Sequence, residues 1–193
     1  MLSKPELRRL VRQRLSEGEA AGVARDLSGR ICEGLLRDPG WLEAETVAIF
    51  APHRGEPDVE LLWDAGAGRQ WCYPRVIGDG LEFFMVESPA SLEPSVWGLR
   101  EPPAIEGRRV PLSRIDLLLV PGMAFTRCGL RLGRGGGFYD RLLARLELRA
   151  VTLGVCFEAQ IFAELPCEEH DQRVARVVTE IKADAGSGSG CKQ

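Results

Sequence analysis

Apolar residues recur at helical spacing over the first 35 positions and then switch to short continuous runs. Leu7, Leu10 and Val11 form one stripe; Val23, Leu27, Ile31 and Leu35 form another. Ser3 with Glu6 three residues on is a capping box, and Pro5 falls in the first turn, where a missing N–H is harmless. Ser16 with Glu19 repeats the pattern and predicts the start of a second helix, which Asp38-Pro39-Gly40 should end. Residues 46–51 (TVAIFA) then read as a buried strand. Asp58 is placed to cap a helical turn through Leu61, Leu62 and Trp63. Residues 71–76 and 81–86 read as strands joined through Gly78-Asp79-Gly80. Residues 89–111 are proline-rich and predict irregular chain. Beyond them come a strand at 115–120 (IDLLLV), a glycine-rich loop at 121–137, a helix at 138–148, and strands at 151–157 and 174–181. Residues 185–193 (AGSGSGCKQ) read as a flexible tail after a domain spanning 1–184.

Strands alternating with helices predict an α/β fold: a single-domain three-layer sandwich with a mostly parallel sheet flanked by helices. In such a fold, ligands bind outside the carboxyl ends of the strands. A chain of 193 residues holds one such core. With 45% hydrophobic and 27% charged residues, neither disorder nor a membrane protein is suggested. No apolar run reaches the ~20 residues that cross a bilayer, and residues 1–15 contain no apolar signal region. A cytoplasmic monomer is expected. The net charge of −3 favours neither nucleic acid nor an anionic membrane, so any polyanion must be held by a local patch. None of the six cysteines forms CxxC, and His53 and His170 do not complete a zinc spacing.

The 121–137 loop is the place for such a patch. Gly133, Gly135, Gly136 and Gly137 allow backbone N–H groups to close on an anion, and a helix start follows. Arg131 and Arg134 bring guanidinium groups that match phosphate oxygens. No Lys-Ser/Thr follows the glycines, so this is not a Walker A loop, and no strand-end acid supports a dinucleotide fingerprint. Asp140 reads equally as a carboxylate complementing the helix dipole and as a Mg²⁺ ligand. Lys4, Arg8 and Arg12 share one helix face at i, i+4 spacing.

The run LLVPGMAFTRCGLRLGRGGGFYDR at 118–141 resembles the signature of the 5-formyltetrahydrofolate cyclo-ligase family, PG-x-AFD-x-x-G-x-RLG-x-GGGYYDR. Thr126 replaces the usual Asp and Phe138 the first Tyr. The likeness extends over nearly the whole chain except the tail. The resemblance implies an ATP site at Lys4, Arg8, Arg131, Leu132, Gly133, Arg134, Gly135, Gly136, Gly137, Phe138 and Tyr139. It implies a folate site at Ala51, Glu56 in FAPHRGEPDVE, and Trp97 in SVWGLREP, shared with Arg134, Gly135, Gly136, Gly137 and Phe138. Asp140, and Asp171 in the LP-x-x-x-HD ending, would hold Mg²⁺, and Arg134 and Tyr139 would be the catalytic groups.

The implied activity is ATP-dependent cyclisation of 5-formyltetrahydrofolate to 5,10-methenyltetrahydrofolate, releasing ADP and phosphate through a phosphorylated formyl intermediate. No protein nucleophile is needed, so the lack of a Ser-His-Asp arrangement is no obstacle. The two departures keep open a folate- or nucleotide-binding regulatory protein of the same fold with an impaired site. An RNA-binding module using Arg131, Arg134 and Arg141 is disfavoured by the acidic balance. Another α/β enzyme acting on a phosphorylated sugar or CoA ester is not excluded by fold.

Overall fold

The computed structural model describes residues 2–18, 21–96 and 98–181. Trp97 and the tail at 185–193 lie outside them. Half of the Ser3 capping box forms: the Ser3 amide donates to Glu6 Oε2 (2.8 Å), while the Ser3 hydroxyl donates to the same oxygen (2.6 Å) rather than accepting from the Glu6 amide. Helix α1 (Lys4–Gly18) follows, then α2 (Ala21–Leu35) and α3 (Pro39–Glu43). Two boundaries differ from expectation. Ser16 starts no helix; it lies within α1, and its hydroxyl donates back to the Gln13 carbonyl at 2.8 Å. Asp38 does not merely end α2; its carboxylate accepts from the Gly40 amide and caps α3.

The strands are β1 (Thr46–Ala48), β2 (Gln70–Ile77), β3 (Gly80–Met85), β4 (Glu93–Pro94), β5 (Arg100–Glu101), β6 (Arg109–Val110), β7 (Leu117–Val120), β8 (Ala124–Phe125), β9 (Arg131–Leu132), β10 (Val151–Val155) and β11 (Arg176–Val178). Helix α4 (Phe138–Leu143) is half the predicted length, because the chain turns at Arg145, whose amide bonds Leu142 O and whose carbonyl accepts from Leu148. The predicted structureless loop at 121–137 contains the β8–β9 hairpin. The proline-rich segment at 89–111 contains the β4–β5 pair. Asp58 does cap the helical turn Val59–Leu62, accepting from the Glu60 amide.

Seven strands form one sheet in the order β11-β10-β7-β1-β2-β3-β6. β11, β10, β7, β1 and β2 run parallel, and β3 and β6 add an antiparallel edge. The sheet is mostly parallel, as expected. β7 is buried along its whole length, and period-two alternation splits its side chains between two cores. Leu117 and Leu119 join Val47, Trp71, Tyr73 and Leu153 beneath α2, through Ile31 and Leu35. Leu118 and Val120 join Ala48, Cys72, Phe83 and Phe125 beneath α4, through Leu142. A third cluster anchors α1 on the β8–β9 hairpin: Leu7 and Val11 pack with Met123, Ala124, Leu132 and Leu165.

β1 pairs with β2 only as far as Cys72, so β2 runs on past the end of β1. Pro74 is tolerated in this interior strand because no ladder bond is needed on that side. Gly129 turns the β8–β9 hairpin at φ +86°, and a Cβ there would approach the Val174 carbonyl oxygen to 2.2 Å. Gly129→Ala is expected to destabilise the fold by about 2 kcal/mol through positive-φ strain and this clash. That lowers the melting temperature by about 4–8 °C; an unchanged thermal unfolding curve would contradict the assignment.

Candidate active site

After β1 the chain proceeds to β2, β3 and β6 on one side, then crosses to β7, β10 and β11 on the other. The crevice between the β1 and β7 ends is therefore the topological switch point, where α/β sheets bind ligands. A cavity of about 700 Å³ opens there. The chain after β1 supplies Phe50, Ala51, His53 and Glu56; the chain after β7 supplies residues 121–122 and 131–140. Lys4 and Arg8 reach in from α1, and Glu168, His170 and Asp171 from the C-terminal segment. Every site residue expected from the sequence lines this cavity except Trp97, which lies outside the described residues.

The cavity has a cationic end and an apolar end. At the cationic end Arg8 Nε donates to Gly133 O at 2.9 Å, which fastens α1 to the glycine loop. Gly135 (φ +116°) and Gly137 (φ +65°) adopt backbone that side chains disfavour. Among the described residues, the amides of Gly135, Gly136 and Gly137 donate to no protein acceptor. They are available to an anion. Arg12 shares the helical spacing of Lys4 and Arg8 but is exposed and does not reach the cavity.

Arg131 is not a surface cation waiting for phosphate. Its side chain is only 3% exposed, and Nη2 donates to Asp140 Oδ1 at 2.7 Å. Its guanidinium lies 5.6 Å from the Tyr139 ring centre, and its buried Nε has no partner among the described residues. Arg134 is exposed and donates to Glu56 Oε1 through Nη2 (2.9 Å) and Nε (3.2 Å), and to Arg54 O. Arg134, expected at both the ATP and the folate site, and Glu56, expected at the folate site, therefore clasp each other across the crevice. Glu56 also accepts from the His53 amide at 3.0 Å.

Burial pushes the Tyr139 hydroxyl up, Glu56 adds to the effect, and Arg131 opposes it. Tyr139 therefore stays protonated at neutral pH and serves as a donor. Leu132, expected at the ATP site, has its side chain in the core under α1.

Lys4 Nζ donates to both Asp171 oxygens, at 3.0 and 2.8 Å, and lies 3.1 Å from Glu168. Burial disfavours the Lys4 charge, but its hydrogen bonds to Asp171 and Glu168 outweigh that and raise its pKa above 10.5. Burial likewise disfavours the Asp171 carboxylate, but Lys4 and the Glu168 amide outweigh it and hold the pKa below 3.8. The Asp171 contribution is present above its unfolded pKa and is lost as pH falls through the depressed folded value. The Lys4 contribution is present below its unfolded pKa and is lost as pH rises through the raised folded value. The stability difference between the wild type and Lys4→Met should thus be largest between about pH 4 and pH 10.5 and shrink outside that window. Denaturant titrations across pH check this; a difference independent of pH would refute it.

Among the described residues, no three His, Cys, Asp or Glu side chains gather as a metal cage. Both Asp171 oxygens are engaged by Lys4 and one Asp140 oxygen by Arg131. This donor set fits a hard cation that brings phosphate and water ligands of its own, as Mg²⁺ does, with Asp140 as the protein contact.

The apolar end is not legible from the motifs. Pro74 and Val76 on the overhanging part of β2, Leu81 on β3, and Leu99 beside β5 form its wall. Glu60, capped into place by Asp58, accepts from Arg100 Nη2 at 2.8 Å and from Tyr73 Oη at 3.3 Å. This fixes the β5 strand against the rim. Glu101, in the same strand, lines the cavity and is 5% exposed.

The 5-formyltetrahydrofolate cyclo-ligase family matches residues 1–180. A 5-formyltetrahydrofolate cyclo-ligase of Mycolicibacterium smegmatis is 31% identical over 179 residues, covering 89% of this chain and 87% of that protein. One from Escherichia coli is 35% identical over 154 residues, covering 77% and 85%. The NMR structure of Aquifex aeolicus 5,10-methenyltetrahydrofolate synthetase superposes with a TM-score of 0.81 at 32% identity, over 100% of this chain and 97% of that one. With a matching sequence, the same fold and a cavity at its switch point, the chain belongs to the 5-formyltetrahydrofolate cyclo-ligase family.

Proposed function

We propose that this protein closes 5-formyltetrahydrofolate to 5,10-methenyltetrahydrofolate with hydrolysis of ATP to ADP and phosphate. The carrying observation is the cavity itself: free glycine-loop amides and cations at one end, an apolar slot at the other. The formyl oxygen attacks the γ-phosphorus and ADP leaves. N10 then bonds to the activated formyl carbon, N10 loses its proton, and the carbon–oxygen bond breaks to release phosphate. Phosphorylation is needed because the bare formyl oxygen is a poor leaving group.

Positioning and charge stabilisation supply the catalysis. Lys4 and Arg8 meet the nucleotide's charge from α1. The Gly135, Gly136 and Gly137 amides hold the transferring phosphoryl group, beside Phe138. Arg134 swings from Glu56 towards that group when ATP arrives, and the released Glu56 orients the folate near Ala51. Tyr139 donates a hydrogen bond. Arg131 supports the loop from below through Asp140. Mg²⁺, when bound with ATP, offsets phosphate charge. Trp97 stacks on the folate.

Mixing the protein with Mg-ATP and 5-formyltetrahydrofolate tests this. Growth of the methenyl chromophore with matching ADP release is expected. Tight binding of both ligands without turnover would instead mark a regulatory protein.

A further inference from the structure

We infer that Glu101 is the specificity-determining carboxylate that grips the amino-pyrimidine edge of the pterin, an inference that rests on the proposed folate activity. Because β1 stops at Ala48, the overhanging part of β2 pairs with β3 on one side and has no strand on the side that β1 left. The Val76 amide on this ledge is met by a side chain instead, Glu101 Oε1, at a long 3.4 Å. That is the one hydrogen bond the Glu101 side chain makes among the described residues, and no cation pairs with it there. Its neighbours are engaged elsewhere: Arg100 with Glu60, and Arg75 with the Pro102 carbonyl at 2.7 Å.

Glu101 is 5% exposed, lines the cavity and keeps most of its acceptor capacity, so its carboxylate is placed to accept from a ligand in the cavity. The ligand must present donors. Glu56 is less suited to the fork, because even after Arg134 has left, the His53 amide holds one of its oxygens at 3.0 Å, against the long 3.4 Å contact at Glu101. A reduced pterin carries two adjacent donors, the ring N3–H and the exocyclic 2-amino group, on one edge of its planar pyrimidinone ring. That edge matches a carboxylate in a two-bond fork. The faces of the ring suit the slot between Leu81, Leu99 and Val76. The other end of the ring system, where the formyl group sits, then points towards the glycine loop.

The test is equilibrium binding without turnover. 5-Formyltetrahydrofolate and an analogue carrying methyl in place of the 2-amino group are each titrated into wild type and Glu101→Gln. Glutamine keeps the shape but turns an N–H towards the pterin's donors. The variant is expected to lose about 10- to 100-fold in affinity for 5-formyltetrahydrofolate, the range for hydrogen bonds to a charged group. Its affinity for Mg-ATP should not change. The analogue keeps the N3–H and lacks only the 2-amino donor, so its loss on going to the variant should be smaller, about 3- to 10-fold. Equal folate affinity in the two proteins would overturn the inference while leaving the folate activity intact. So would an equal loss for folate and analogue, which would indicate a purely structural Glu101. Failure of the wild type to bind folate at all would overturn both.

Discussion

Replacing Arg134 with alanine is expected to lower turnover by about a hundredfold, the effect of removing one donor aimed at developing phosphoryl charge. The side chain is suited to this because it is exposed at the mouth of the crevice and reaches from the β7 side to Glu56 on the β1 side. In the proposed mechanism it leaves Glu56 for ATP's phosphates, so its contacts would be stronger in the reacting complex than in the free protein. Such an interaction lowers kcat rather than only raising KM. Steady-state rates of methenyl formation with ATP and with folate as the varied substrate separate the possibilities. A loss confined to the folate KM would assign Arg134 to folate through Glu56 and remove it from the phosphoryl site.

Arg131 should behave differently, because its guanidinium is packed inside the loop. Arg131→Met leaves Asp140, itself only 15% exposed, without its 2.7 Å partner. Breaking a buried pair on one side costs about 3–5 kcal/mol, because a charge is stranded. With some water access at Asp140 the lower figure applies, or about 6–12 °C in melting temperature. Adding Asp140→Asn to the Arg131→Met background should recover part of the loss, since no carboxylate is then stranded. Thermal unfolding of the two single variants and the double variant checks this. If the double variant fell by the sum of the single losses, the pair would not be coupled and the structural role of Arg131 would fail.

These two arginines also show where sequence reasoning runs short. Both belong to one motif and both are expected at phosphate, because motif and residue type carry no information about burial. Only the fold reveals that the β8–β9 hairpin turns Arg131 inward while Arg134 faces the crevice. Periodicity locates β7, the β2–β3 hairpin and the apolar stripe of α2, since burial on both faces or on one stripe leaves a readable pattern. It misplaces Ser16, whose side chain takes the Gln13 carbonyl rather than a cap, and Val23, which is 50% exposed despite its spacing. The β4–β5 pair, with Arg100 and Glu101, is invisible because two-residue strands among prolines carry no period. Their signal is indirect: an acidic residue in an irregular segment is unexceptional until the sheet's overhang shows what it faces.

The bridge from Lys4 to Asp171 joins positions 167 residues apart. During synthesis the basic helix leaves the ribosome 167 residues ahead of its acidic counterpart. The proposed nucleotide chemistry therefore has to wait until Asp171 has been translated, and an arrested nascent chain ending before Asp171 should be catalytically silent. Contacts of such long sequence range also form slowly, so the nucleotide end of the cavity should be among the last parts to organise during refolding.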